Sequence, residues 1–179
     1  MSNHSPILNI KSVSKDFGAV SALSNVDLQV HAGEVVALVG DNGAGKSTLV
    51  KILAGVHQAS SGAIEFQGKS ESLATPRAAL KLGIATVFQD LALCENLDVV
   101  SNIFLGQELK PFQLDEVSME VKAWTLLNEL SARIPNVRSV VASLSGGQRQ
   151  TVAIARSLLL DPKIIILDDI DLINDQSQQ

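Results

Sequence analysis

The chain has 179 residues, 46% of them hydrophobic and 18% charged, which is enough for one globular domain with its own core. The net charge is −5 with no run of lysine or arginine, which argues against a nucleic-acid-binding face. Aliphatic runs such as Ile164-Ile165-Ile166-Leu167 are far short of the ~20 residues that span a bilayer, Met1 to Pro6 shows no export signal, and the lone Cys94 fits a reducing compartment.

Leu8 to Phe17 and Val26 to Val30 read as strands, the second alternating Val26, Leu28 and Val30 with Asp27 and Gln29. Gly33 turns the chain into Val35-Val36-Ala37-Leu38-Val39. A run apolar on both faces predicts a buried parallel strand. A glycine-rich loop follows, then a helix from Lys46 to Ala54 that Gly55 ends. Ser60-Ser61-Gly62 is a turn and Ala63 to Phe66 a strand. Thr75-Pro76 opens a helix with proline at its first position, and Gly83 closes it. Ile84 to Phe88 is a further buried strand.

From Asp90 to Val141 the pattern is mainly helical, notably Leu114 to Leu130. This predicts a helical insert. A helix over Gly146 to Leu160 is broken by Asp161-Pro162, and Ile164 to Leu167 is a last buried strand. The tail Asn174 to Gln179 is polar, and a frayed end is expected there. Strands alternating with helices predict an α/β fold with a mainly parallel sheet.

Two motifs carry chemistry. Gly40-Asp41-Asn42-Gly43-Ala44-Gly45-Lys46-Ser47 matches G-x-x-x-x-G-K-[ST], with Thr48 next, between a predicted strand and a predicted helix. Glycines let successive backbone N–H groups turn inward toward phosphate oxygens, and the helix amino terminus adds partial positive charge. Lys46 is placed for the β- and γ-phosphates, and the Ser47 hydroxyl for Mg²⁺. The loop alone does not choose among kinases, GTPases and ATPases. Farther on, Leu144-Ser145-Gly146-Gly147-Gln148 opens a helix that Ser145 can cap, with two glycines that let backbone amides approach an anion. Alone, it is a capped helix with a flexible entry.

Together with an aliphatic strand ending in Asp168, these motifs resemble the ABC ATPase family, over about Leu8 to Asp169. Leu144 to Gln150 looks like its signature sequence. The resemblance implies a P-loop NTPase (RecA-like) core with a mainly parallel sheet, amino-terminal antiparallel strands and a helical insert. Residues 1–89 and 142–169 would form the core, 90–141 the helical subdomain and 170–179 an atypical tail. It implies ATP and Mg²⁺ as cofactors. Gln89 matches the Q-loop glutamine, which contacts Mg²⁺ and the attacking water and couples to a transmembrane partner. Phe17 matches the aromatic that stacks on adenine, and Asp168 the Walker B aspartate that holds Mg²⁺ through water. Ser145, Gly146, Gly147 and Gln148 would contact the ATP held by a second ATPase domain paired head to tail. The implied partners are that domain, transmembrane permease subunits and, indirectly, a sugar-binding protein, on the cytoplasmic face of the plasma membrane. Gly33 to Gly62 and Gly83 to Gly106 look most like the ATPases of bacterial simple-sugar importers.

The sequence also departs from the family. The catalytic glutamate's position holds Asp169, one methylene shorter, and Ile170-Asp171-Leu172-Ile173-Asn174 stands where Pro-Thr and the dimer-contacting D-loop belong. The family's switch histidine has no counterpart; His4, His31 and His57 all lie in the first third. By this resemblance the domain is incomplete after the Walker B strand. Unpaired buried backbone groups cost about 1–3 kcal/mol each, so marginal stability is expected, and the shorter Asp169 with no switch histidine implies slow or absent hydrolysis. Three readings follow: an energy-coupling subunit of a sugar importer, a non-catalytic fragment of an ABC ATPase, and a soluble non-transport ABC ATPase. The last predicts basic patches or long coiled-coil insertions, which the sequence lacks.

Overall fold

The structure is a computed structural model that describes residues 5–109 and 115–168. The chain forms two compact units, Met1–Ile84 and Ala85–Gln179. Asp169, the 170–179 tail and the residues at 110–114 lie outside the described residues.

The first unit is built on a four-stranded antiparallel sheet. Its strands are β1 (Leu8–Phe17), β2 (Val20–Val30), β3 (Ser61–Phe66) and β4 (Lys69–Ser70), in the order β2-β1-β3-β4. Leu8 lies opposite both Val30 and Phe66, which fixes the register. Leu8, Ile10 and Val13 are buried, and the break in alternation has a local cause. Ser12 takes a positive φ of 47° at a shift in register, so Val13 rather than Ser12 turns to the core. The Ser12 amide is satisfied by the Asp27 carboxylate at 2.8 Å.

Helix α1 (Lys46–Leu53) buries Leu49, Val50, Ile52 and Leu53. Helix α2 (Pro76–Leu82) has the ends its sequence predicts. The Thr75 side chain accepts from the Ala78 amide, proline occupies the first turn, and Gly83 closes the helix at φ 91°.

Val35 to Val39 is a correction to the sequence reading. Among the described residues the run belongs to neither sheet, and Val35 and Val39 are 97% and 88% exposed. An apolar run becomes a buried strand only when neighbouring strands pair its backbone and layers cover both faces. No described strand does so.

The second unit contains β5 (Ile84–Val87, whose first residue belongs to the first unit), α3 (Val99–Phe104), α4 (Glu116–Glu129), α5 (Gly146–Leu158) and β6 (Ile164–Leu167). Strands β5 and β6 are hydrogen-bonded neighbours, and the Asp168 amide donates to the Val87 carbonyl at 2.9 Å. Both strands end at that bond, so they run in the same direction. The expected parallel pairing is present here, while the larger sheet is antiparallel. Strand β6 is only half-buried, and Leu167 is 47% exposed, so it is not the buried strand its composition suggests.

The three helices enclose a core that includes Val99, Ile103, Phe104, Ala123, Leu127 and Val152. Asn102 is fully buried within it. Its side chain accepts from the Cys94 amide (2.8 Å) and donates toward the carbonyls of Cys94, Leu97 and Asp98, so the loop before α3 is folded around one amide group.

Asp98 caps α3 by accepting from the Ser101 amide at 2.7 Å. Arg138 reaches Asp98, Glu116 and Glu120 at 3.4, 3.3 and 2.9 Å, tying that cap to α4. Burial pushes the Asp98 carboxyl up, but the hydrogen bonds from Ser101 and the Arg138 guanidinium outweigh it and hold the group below its ordinary value. A carboxylate with a depressed folded-state pKa stabilises the fold above its unfolded value of about 3.9, and that contribution is lost as pH falls through the lower folded value. We expect Asp98→Asn to lower stability at neutral pH and to flatten the loss of stability below about pH 4. Urea denaturation at stepped pH measures both; parallel pH curves for the two proteins would contradict the assignment.

Candidate functional site

The glycine-rich loop is set by close approach to β2. Gly45 stands at φ 86°, and a Cβ added there would meet the Ala22 carbonyl oxygen at 2.4 Å and a Leu23 methyl at 2.6 Å. Only glycine permits both the backbone angle and the contact. The Ala44 amide closes a turn onto the Asp41 carbonyl at 3.1 Å. The Lys46 side chain folds back, and its Nζ donates to the carbonyls of Gly40 (2.6 Å) and Asp41 (2.8 Å). The loop is therefore wound around its own ammonium group.

Helix α1 starts at Lys46. No side chain caps it and no acidic residue stands in its first turn, so the partial positive charge of its amino terminus is not offset locally. Ser47 and Thr48 follow in that turn, half-buried. A positive helix end, an ammonium and glycine backbone at one place form a donor set that fits a polyphosphate. Asn42 and Gly43 form the exposed tip, and a Cβ on Gly43 (φ 87°) would meet nothing within 4 Å. The tip has room for a ligand.

Phe17, at the end of β1, is not a core residue; it is 45% exposed. The His57 ring lies 5.3 Å away at 75°, and Lys15 Nζ stands 4.9 Å from the Phe17 centroid. Lys15 stands two residues before Phe17 on the same predicted strand, whereas His57 lies forty residues beyond it and was not legible as its neighbour.

In the second unit, Ser145 and Gln148 cap α5 reciprocally. The Ser145 Oγ accepts from the Gln148 amide at 3.4 Å, and the Gln148 side chain accepts from the Ser145 amide at 2.9 Å. Gln148 also donates to the Arg133 carbonyl at 2.8 Å. Ser145 and Gly146 are exposed, Gly147 is half-buried, and a Cβ on Gly146 would meet nothing within 4 Å. The helix entry can thus be approached from outside.

Gln89 is exposed two residues beyond β5, and Asp168 is half-buried directly after β6. The bond from the Asp168 amide to Val87 brings both to the carboxyl end of the same strand pair. Ligands of open α/β sheets bind at such ends. Asp169 lies outside the described residues. Among the described residues no three His, Cys, Asp or Glu cluster as a ready metal cage. Mg²⁺, which commonly keeps waters and binds through one or two carboxylates plus phosphates, does not require one.

A sequence profile described as ABC transporter matches residues 23–171. The chain belongs to the ABC transporter family.

Within that family it is 46% identical over 166 residues to the xylose/arabinose import ATP-binding protein of Sulfolobus acidocaldarius, covering 92% of this chain and 66% of that one. It is 44% identical over 166 residues to the ribose import ATP-binding protein of Caldanaerobacter subterraneus subsp. tengcongensis, covering 92% of this chain and 33% of that one. The chain thus spans about two-thirds of one relative's length and a third of the other's. Among solved structures it is similar to a dimeric ATP-binding cassette in a post-hydrolysis state with ADP and Pi, at 27% identity and a TM-score of 0.74, covering 90% of this chain and 73% of that one. The P-loop NTPase fold expected from the sequence is the fold of these ABC cassettes.

The two positive-φ glycines of the loop, Gly43 and Gly45, separate strain from collision. Gly45→Ala carries both an unfavourable φ and a backbone clash, whereas Gly43→Ala carries the φ alone. We expect Gly45→Ala to cost about 1–3 kcal/mol more than Gly43→Ala in chemical denaturation. Equal losses would mean that the loop does not rest against β2 as described.

Proposed function

We propose that this chain supplies the ATP-binding, energy-coupling part of a simple-sugar importer. The observation that carries this reading is the loop Gly40 to Thr48 wound around Lys46 at an uncapped helix amino terminus. Polyphosphate oxygens can replace the Gly40 and Asp41 carbonyls as acceptors for Lys46, while backbone amides and the start of α1 add further donors. Asp41, Asn42, Gly43, Ala44 and Gly45 shape the cradle. Phe17 offers a half-exposed ring for an adenine base.

Ser47 in the first unit is proposed as a Mg²⁺ ligand, and Asp168 and Gln89 in the second unit carry the family's Mg²⁺ roles. The ion, when bound, would supply positive charge that offsets the charge of the triphosphate. Gln89 also orients an attacking water, and Asp169 acts as its weaker acceptor, standing where the family has a glutamate. Hydrolysis by this chain is therefore slow or absent. Ser145, Gly146, Gly147 and Gln148 contact the ATP of a second ATPase domain in a head-to-tail pair. Residues 1–89 and 142–169 serve as the core and 90–141 as the helical subdomain.

Support comes from the relatives. Those above are named for import of xylose/arabinose and of ribose, and the similar cassette structure is dimeric with ADP and Pi. The sugars differ between relatives, so the class is proposed and not the individual sugar. No described helix is long and apolar enough to cross a membrane. Permease subunits would anchor the chain at the inner face of the plasma membrane and receive a sugar-binding protein on the other side.

ATP titration by calorimetry, with and without Mg²⁺, tests the reading against Lys46→Ala. The variant should bind at least about tenfold more weakly, since a charge-assisted bond to phosphate is removed. Equal affinities, or no binding by the unaltered chain, would overturn it.

A further inference from the structure

The segment after Gln89 is gripped from α5 at two points. The Arg149 guanidinium uses all three of its nitrogens. Nε donates to the Leu144 carbonyl (3.1 Å), Nη2 to the Ala142 carbonyl (2.8 Å) and Nη1 to the Glu95 carboxylate (3.0 Å). Two helical turns later, Arg156 Nη1 donates to the Ala92 carbonyl at 3.0 Å. Residues seven apart on a helix share a face and are separated by about 10 Å along its axis. Three residues of extended chain reach about the same distance, so the two grips can span Ala92 to Glu95.

The segment is also held from two other directions. The Ala142 amide donates to the Glu95 carbonyl (3.0 Å) and the Val141 amide to the Leu97 carbonyl (2.9 Å). From α3, buried Asn102 holds both backbone groups of Cys94. Asp90, Ala92, Glu95 and Asn96 remain exposed, so a partner can press on the segment.

We propose that Arg149 and Arg156 are positioning residues that join residues 92–97 and the entry of α5 into one lever. A displacement of the segment is thereby delivered to Ser145 through Gln148. This rests on the reading of Ser145 to Gln148 as a nucleotide contact and of the segment beyond Gln89 as the side facing a permease. The Glu95 carboxylate is largely exposed, so its ion pair alone is weak. The lever depends on the fork geometry of Arg149, which a lysine cannot reproduce.

Hydrogen exchange on the whole chain tests it. Arg149→Lys keeps the charge and loses the fork. It should speed exchange at Cys94, Val141 and Ala142 and at the Gln148 and Arg149 amides together, by a common factor of about 5 or more, with amides of β1 unchanged. Arg156→Ala should loosen the segment near Ala92 in the same correlated way, and Glu95→Gln should have a smaller effect of the same pattern. Loosening of α5 alone, of the segment alone, or of every amide equally would overturn the lever. If Arg149→Lys fails to fold, Arg156→Ala and Glu95→Gln decide on the same pattern. ATP affinity measured beside it separates the two readings. Unaltered chain that exchanges as expected but does not bind ATP sinks the nucleotide reading and leaves the mechanical linkage standing.

Discussion

The ammonium of Lys46, held by the Gly40 and Asp41 carbonyls, is the interaction on which the candidate site depends. It sets three requirements on the sequence. The loop must wind tightly, so Gly43 and Gly45 adopt positive φ. The wound loop must rest against the sheet, so Gly45 has no room for a side chain beside Ala22 and Leu23. The helix that follows must be anchored, so Leu49, Val50, Ile52 and Leu53 are buried. The result concentrates positive charge at one place. An ammonium that bonds neutral carbonyls gains less than one that bonds an anion, so on the proposed reading phosphate oxygens would replace the loop's internal acceptors.

The second unit follows a different logic. Its polar groups are spent on holding loops. Asn102 folds the chain around α3, Arg138 ties the α3 cap to α4, and Arg149 and Arg156 fasten the segment after Gln89 to α5. Partial satisfaction of such buried or half-buried groups is costly, so the loops they hold have few alternatives. Rigid loops are what a subunit needs if mechanical displacement is to reach a nucleotide contact without being absorbed on the way.

Elements whose ends are set by local chemistry were legible in the sequence. The limits of β1, the Thr75 cap and Gly83 stop of α2, the Ser145 start of α5 and the span of β6 agree with the structure. The winding of the Gly40–Ser47 loop was legible because its glycines and lysine act within eight consecutive residues. Features set by distant partners were not legible. Val35 to Val39 reads as a buried strand from its side chains, yet burial depends on neighbours that the run cannot specify. The contact of Phe17 with His57 and the fork of Arg149 join residues about forty and fifty positions apart. No period or motif links them. Ser145 and Gln148 illustrate the middle case. Their capping box was readable as a helix start, while a contact with another domain's ATP is a property of an assembly.

The most direct test of the central claim is amide NMR of Gly43, Gly45, Lys46 and Ser47 during titration with inorganic triphosphate, which carries the charge without base or sugar. The account predicts that these four amides shift together and saturably, and that the shifts vanish in Lys46→Ala. Unmoved loop amides at a triphosphate concentration that saturates any other site, or equal shifts in the variant, would contradict it.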